Sequence, residues 1–263
     1  MDLGIKDRVA VVAASSSGLG LAVARGLARE GAKLALCART ATTLDAAAEE
    51  IRRATGVEVM TRALDVTSYD EVRLFVSTVT ERFGRLDICV ANAGGPPAKS
   101  FAETTIEDWR AAADLNLMST VYFAKETLPA MQRRKWGRFI AITSVAVKQP
   151  VEGLILSNAV RSGVSGLTKT LSNEYGRYGV LVNSVCPGYT ATARLLELSR
   201  ALAAKEGVEP AEIEARWARQ TALGRVGQPE EFADLVVFLA SERAGYITGT
   251  SIAVDGGLVK GLY

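Results

Sequence analysis

Histidine is absent from all 263 residues. That gap excludes Ser-His-Asp triads, His-ligated zinc and every imidazole proton shuttle, and no metal site is expected. Cysteine is scarce. Cys37, Cys89 and Cys186 lie far apart, without C-x-x-C spacing, each in an apolar stretch. They read as buried, inert thiols, and an odd count without a signal peptide fits a reducing cytosol. No apolar run approaches the ~18 residues of a membrane span. Met1–Lys6 lacks the basic start and long apolar run of a secretory leader. Charge of one sign is lacking too. The 31 basic and 29 acidic residues leave a net +2, so there is no basic footprint for nucleic acid and no polybasic membrane anchor.

What is present is an ordinary globular composition. Hydrophobic residues make up 48% and charged residues 23%, enough apolar material for a core and too little charge for disorder. Short apolar runs alternate with amphipathic ones. Strands are expected at 9–14, 33–37, 57–63, 86–91, 138–143, 180–186 and 251–254, with helices between them. Runs apolar along their whole length suit a sheet covered on both faces. Strict β-α alternation implies parallel strands joined by right-handed crossovers. The reading is one doubly wound, Rossmann-like α/β domain over residues 1–263 with a seven-stranded parallel sheet. Ser68-Tyr69-Asp70-Glu71 and Thr104-x-x-Glu107 read as capping boxes. The helix behind Thr104 is expected to run to about Arg134. Arg133, Arg134, Lys135 and Arg138 form the one dense basic run, read as a helix end complementing its dipole. Trp136 reads as an anchor under the next strand. Residues 194–225 break the alternation. They are helical and amphipathic and follow a strand's carboxyl end, where α/β sheets bind ligands, so they read as a substrate lid.

The chain resembles the short-chain dehydrogenase/reductase family over essentially its whole length. The residues that carry the resemblance are Ala13 to Gly20 (AASSSGLG), Asp65-Val66, Asn92-Ala93-Gly94, Asn116, Ser144, Pro187-Gly188 and a tail with Thr248-Gly249 and Val254-Asp255-Gly256-Gly257. In the first island a strand ends, the backbone turns and a helix begins at glycines, so free N–H groups and a positive dipole end face a pyrophosphate. Ser15, Ser16 and Ser17 offer hydroxyls beside Gly18, Leu19 and Gly20. The family pattern has Thr-Gly where this chain has Ala13-Ala14. A methyl at Ala14 is harmless at negative φ and costly at positive φ. Where NAD-selective members carry an acidic residue, this chain has Ala38 followed by Arg39. A guanidinium there suits a 2′-phosphate, so NADP(H) is expected over NAD(H). The resemblance also assigns the cofactor Asp65, Val66, Asn92, Ala93, Gly94, Pro187, Gly188, Thr190 and Thr192.

The catalytic part departs from the family. Asn116 and Ser144 stand in their places. The expected tyrosine and lysine are Ser157 and Arg161. In the family the tyrosine moves the proton, and the lysine lowers its pKa and binds ribose. A serine is a far weaker acid. An arginine, with a pKa above ~12, shuttles no proton. Losing a positioned general acid costs ~10²–10⁴ in rate, or about 3–5 kcal/mol. Tyr189, after Pro187-Gly188, is the best-placed spare phenol. Glu152 is a second candidate, in the loop before Ser157. Tyr175 and Tyr178 fall at the far end of the long helix.

The resemblance implies a cytosolic NADP-dependent oxidoreductase closest to 3-oxoacyl-(acyl carrier protein) reductases. It would act on a small carbonyl or acyl substrate and form a homotetramer packed through two long helices and the last strand. Two rivals stand beside this reading. One is a catalytically impaired NADP-binding sensor or partner subunit. The other is a cofactor-independent lyase or isomerase in the same cleft.

Overall fold

The computed structural model describes residues 2–262. Its strands are β1 (Val9–Ala13), β2 (Lys33–Ala38), β3 (Val59–Ala63), β4 (Ile88–Ala91), β5 (Gly137–Ile142), β6 (Val180–Pro187) and β7 (Ser251–Val254). They form one parallel sheet in the order β3-β2-β1-β4-β5-β6-β7. The order reverses between β1 and β4, which opens a crevice at their carboxyl ends.

Alternation along the strands supplies two cores. Ala10, Val12, Leu34, Leu36 and Ile140 face α1 (Gly18–Arg29), α2 (Ala41–Thr55) and α9 (Pro229–Leu239), whose Leu27, Leu44, Ile51 and Phe232 are fully buried. Val9, Val11, Cys37, Cys89 and Phe139 face α3 (Tyr69–Phe83), α5 (Ser119–Arg134) and α6 (Ile155–Tyr175), through Phe75, Phe123, Leu128 and Val164. The three cysteines are buried and free. Burial pushes the Cys37 thiol up to about 12, so it is inert as a nucleophile. No helix among the described residues is long and apolar enough to cross a membrane.

Local signals held with small shifts. Ser68 accepts from the Glu71 N–H at 3.4 Å, but the Glu71 carboxylate turns to the Asp65 N–H at 2.8 Å, so this box is half closed. The second box sits one residue later than expected. Thr105 and Asp108 cap each other, while Thr104 donates to the Phe101 carbonyl and accepts from Trp109. The helix behind it is not continuous. It runs as α4 (Ile106–Ala112), passes through a π-helical turn at Ala113–Met118, and resumes as α5.

The basic run is structural. Asp87, fully buried, takes two hydrogen bonds from Arg85 at 2.6 and 2.8 Å and one from the Val9 N–H, with Arg134 at 3.9 Å. Trp136 lies between the guanidiniums of Arg8 and Arg138, at 3.8 and 4.2 Å. Residues 194–225 contain most of α7 (Ala193–Glu206) and all of α8 (Pro210–Gln220), closed around their own small core of Ala203, Ile213 and Trp217.

Candidate functional site

A cleft of about 730 Å³ runs along the carboxyl ends of the strands, from the end of β2 to the start of α6, under α7. Most of the residues singled out by sequence line it: Ser16, Ser17, Gly18, Leu19, Arg39, Asp65, Val66, Asn92, Ala93, Gly94, Ser144, Ser157, Arg161, Pro187, Gly188, Thr190 and Thr192.

The end of the cleft beside the glycine turn is built mainly of backbone. After β1 the chain turns through Ala14 at φ +47°. This is the costly case: a methyl stands in the left-handed region, at about 1 kcal/mol or more. The turn is held in place. The Asn92 amide reaches the carbonyls of Ala13 and Ala14 at 3.3 and 3.4 Å. Gly20 packs so close that a Cβ there would lie 2.3 Å from the Ala14 carbonyl oxygen. Gly20 therefore seats α1 rather than lining the cleft. Ser15 also leaves the site, a correction to its expected role. Its hydroxyl donates inward to the Val12 carbonyl at 3.0 Å, its N–H is bonded to the Cys37 carbonyl, and the residue is fully buried. The Ser16 and Ser17 hydroxyls face the cleft and make no hydrogen bond among the described residues. Thr192 caps α7 by accepting from the Leu195 N–H, and its methyl would touch a Cβ at Gly18 at 3.6 Å. Two helix N-termini, of α1 and α7, thus converge on one spot, which favours a diphosphate.

Arg39 is exposed at the end of β2 and makes no ion pair among the described residues. Asp65 accepts from the N–H and hydroxyl of Thr67, both at 2.9 Å. Gly94 leaves open space where a Cβ would stand. Free N–H groups, an unpaired guanidinium and room along the β4 tail fit a phosphorylated dinucleotide. The tail motif supports this wall rather than lining it. A Cβ at Gly188 would meet the Asp255 Cα at 2.7 Å, and Asp255 accepts from the N–H groups of Gly257 and Val259.

The inner end depends on side chains. Ser144 caps a short turn by accepting from the Ala146 N–H at 3.1 Å, leaving its own proton to donate. Asn158 clasps Val151 through two hydrogen bonds and pins the loop ahead of α6. Ser157 stands in the first turn of α6, a mostly buried residue whose hydroxyl opens on the cleft and makes no hydrogen bond among the described residues. Arg161 follows one turn later. It donates to the carbonyls of Ile142 and Thr143, both at 3.1 Å, and of Gly94 at 3.2 Å. It staples the end of β5 to the tail of β4. Burial first, and the charge of Arg194 second, bring Arg161 down to about 10, below the value expected from sequence. It stays cationic at neutral pH.

Asn116 is not in the cleft wall. It lies behind Gly94 within the π-helical turn, donating to the Gly94 carbonyl at 2.8 Å, with its own Oδ1 buried and unpartnered. Such turns recur at functional sites. Tyr189 is not a free acid. Its ring stacks on Trp217 at 5.0 Å, its hydroxyl meets Gln220 at 3.2 Å, and burial raises its pKa. Glu152 is exposed and outside the cleft. Arg194, which sequence reasoning treated only as the start of the lid, donates to the Pro96 carbonyl at 2.8 Å and lines the cleft. Its position depends on how α7 folds back, which no local pattern signals.

A family model described as enoyl-(acyl carrier protein) reductase matches residues 13–259. A 3-oxoacyl-(acyl carrier protein) reductase of Synechocystis is 37% identical over 254 residues, covering 96% of this chain and 97% of that one. Another, of Aquifex aeolicus, is 32% identical over 258 residues, covering 98% and 100%. The structure of L-sorbose reductase from Gluconobacter frateurii, complexed with NADPH and L-sorbose, superposes with a TM-score of 0.95 at 35% identity, over 100% of both chains. The sheet order, the glycine turn and these matches along the whole chain agree: the protein belongs to the short-chain dehydrogenase/reductase family of oxidoreductases.

Proposed function

We propose that the protein is an NADP(H)-dependent carbonyl reductase resembling 3-oxoacyl-(acyl carrier protein) reductases, with a rebuilt proton-delivery end. The observation that carries this reading is the single cleft that joins the glycine turn and Arg39 to Ser144, Ser157 and Arg161. Ser16, Ser17, Gly18 and Leu19 would hold the diphosphate, with Thr190 and Thr192 opposite. Arg39 would pair with the 2′-phosphate; Asp65 and Val66 would border the adenine. When bound, the dinucleotide supplies the hydride. Ser144 donates its free proton to the substrate carbonyl oxygen as a hydrogen bond. Ser157 is too weak an acid to release a proton, and Arg161 is held as a cation on three carbonyls. The proton therefore comes from water, which Ser157 orients. Asn116 is a positioning residue, acting through Gly94. Low turnover of ordinary family substrates follows. Helices α7 and α8 serve as the lid, and a cytosolic homotetramer belongs to the same reading.

A second reading, a sensor or partner subunit that binds NADP(H) without turnover, is favoured by Arg161, which serves the backbone where a catalytic lysine would serve the reaction. The lyase or isomerase alternative rests on the strained Ala14 alone. Titration of the purified protein with NADPH and NADH, followed by calorimetry, separates them. Micromolar NADPH binding with weaker NADH binding is the expected result, and a subsequent carbonyl screen divides enzyme from sensor. Binding of neither nucleotide would overturn both dinucleotide readings.

A further inference from the structure

The two ends of the cleft differ in charge in a way that proton delivery does not explain. Among the described residues, the one carboxylate that lines the cleft is Asp65, just beyond β3. The inner end carries two guanidiniums, Arg161 and Arg194, and no acidic side chain. They grip the same short segment from two points: Arg161 donates to the Gly94 carbonyl at 3.2 Å, Arg194 to the Pro96 carbonyl at 2.8 Å. Arg161 is buried, and all its hydrogen bonds go to neutral carbonyls. Arg194 has only a loose contact, 3.6 Å, with the exposed Glu197. Buried charges in proteins are normally paired. Arg161 has no carboxylate partner among the described residues, while Arg194, itself half exposed, has Glu197 alone. Beside them the Ser157 hydroxyl opens on the cleft and makes no hydrogen bond among the described residues. Arg39 does not share this work. It follows β2, three strands from β5, or about 14 Å away at ~4.8 Å per strand.

We propose that the substrate carries its own carboxylate, seated between Arg194 and Arg161 at the inner end of the cleft, so that the substrate class is a small oxo acid. The Arg194 guanidinium can receive a carboxylate bidentately, and the positive charge of Arg161 behind it suits an anion better than a neutral thioester or sugar. Leu154, Leu195 and Leu198 bound the remaining space, which fits a short aliphatic body. The proposal rests on the reductase reading: the oxo acid takes a hydride at its carbonyl carbon from the reduced dinucleotide and a proton from water at oxygen, giving a hydroxy acid and the oxidised dinucleotide.

The test is equilibrium binding to the protein alone and to the protein saturated with NADP⁺, where no turnover occurs. The probes are 2-oxobutyrate, acetoacetate and levulinate, each against its methyl ester. At least one acid is expected to bind tenfold or more tightly than its ester. In Arg194→Gln that ratio falls below twofold, Arg194→Lys restores part of it, and NADP⁺ affinity stays within twofold of the unaltered protein. Equal binding of every acid and its ester overturns the proposal. So does an acid preference undiminished in Arg194→Gln. So does a loss of NADP⁺ rather than acid affinity, which would assign Arg194 to the cofactor's phosphates. Failure of NADP⁺ to bind the unaltered protein overturns the reductase reading instead, and the acid preference is then read on the protein alone.

Discussion

The two ends of the cleft have been built from different materials. The end beside the glycine turn offers N–H groups, helix ends and close approach, and the chain follows the family pattern there apart from Ala13-Ala14, of which Ala14 is strained. At the inner end the character of the site belongs to side chains, and there Ser157 and Arg161 stand where the family resemblance implies Tyr and Lys. A backbone cradle survives a change of side chain because its donors belong to every residue. A proton-transfer site does not, because pKa and reach belong to one side chain. The comparison also gives Arg161 a second meaning. It satisfies three carbonyls at the ends of β5 and β4, so it holds the wall of the site together.

The largest effect should come from rebuilding the catalytic end. Ser157→Tyr with Arg161→Lys is expected to raise reduction of neutral carbonyls by ~10²–10⁴, read as NADPH consumption. A folded, nucleotide-binding double variant with no gain would mean that the inner end is not a degraded tetrad. Next comes the staple itself. Arg161→Met leaves three carbonyls without a donor, partly offset by removing a buried charge, for a net cost of about 2 kcal/mol. That corresponds to a melting temperature roughly 4–8 °C lower. An unchanged melting temperature would show that water replaces the guanidinium without cost. At the other end, Arg39→Ser is expected to weaken NADPH binding by roughly tenfold, about 1.5 kcal/mol, and to leave NADH unaffected. A parallel loss for both nucleotides would remove Arg39 from the 2′-phosphate. The smallest effect tests the strain. Ala14→Gly relieves the left-handed methyl but loosens the unfolded chain, for a net gain of about 0.5 kcal/mol. Thermal melting resolves this, and a loss would mean that the Asn92 clamp already removes the strain.

The fold was legible because the β-α alternation and apolar strand runs repeat seven times, and only the strand ends moved, by one or two residues. Capping signals were readable to within a residue, as Thr104 against Thr105 shows. The glycine turn and the substitutions at 157 and 161 were visible as letters in a row. Other features were not. The inward turn of Ser15, the retreat of Asn116 behind Gly94 and the engagement of Tyr189 with Trp217 each depend on where a side chain points after distant elements have packed.

Sequence by itself determined the fold class, the position of the cleft at the strand ends and the absence of imidazole chemistry. These follow from periodicity, strand order and composition, which are local or additive properties of the chain. Tertiary structure alone decided the sign of φ at Ala14, the three carbonyls beneath Arg161 and the arrival of Arg194 beside it. Residues 94, 142, 161 and 194 meet only when β4, β5, α6 and α7 bring their ends to one edge of the sheet. Burial then lowers the pKa of Arg161, whose hydrogen-bond partners lie as much as 67 positions away.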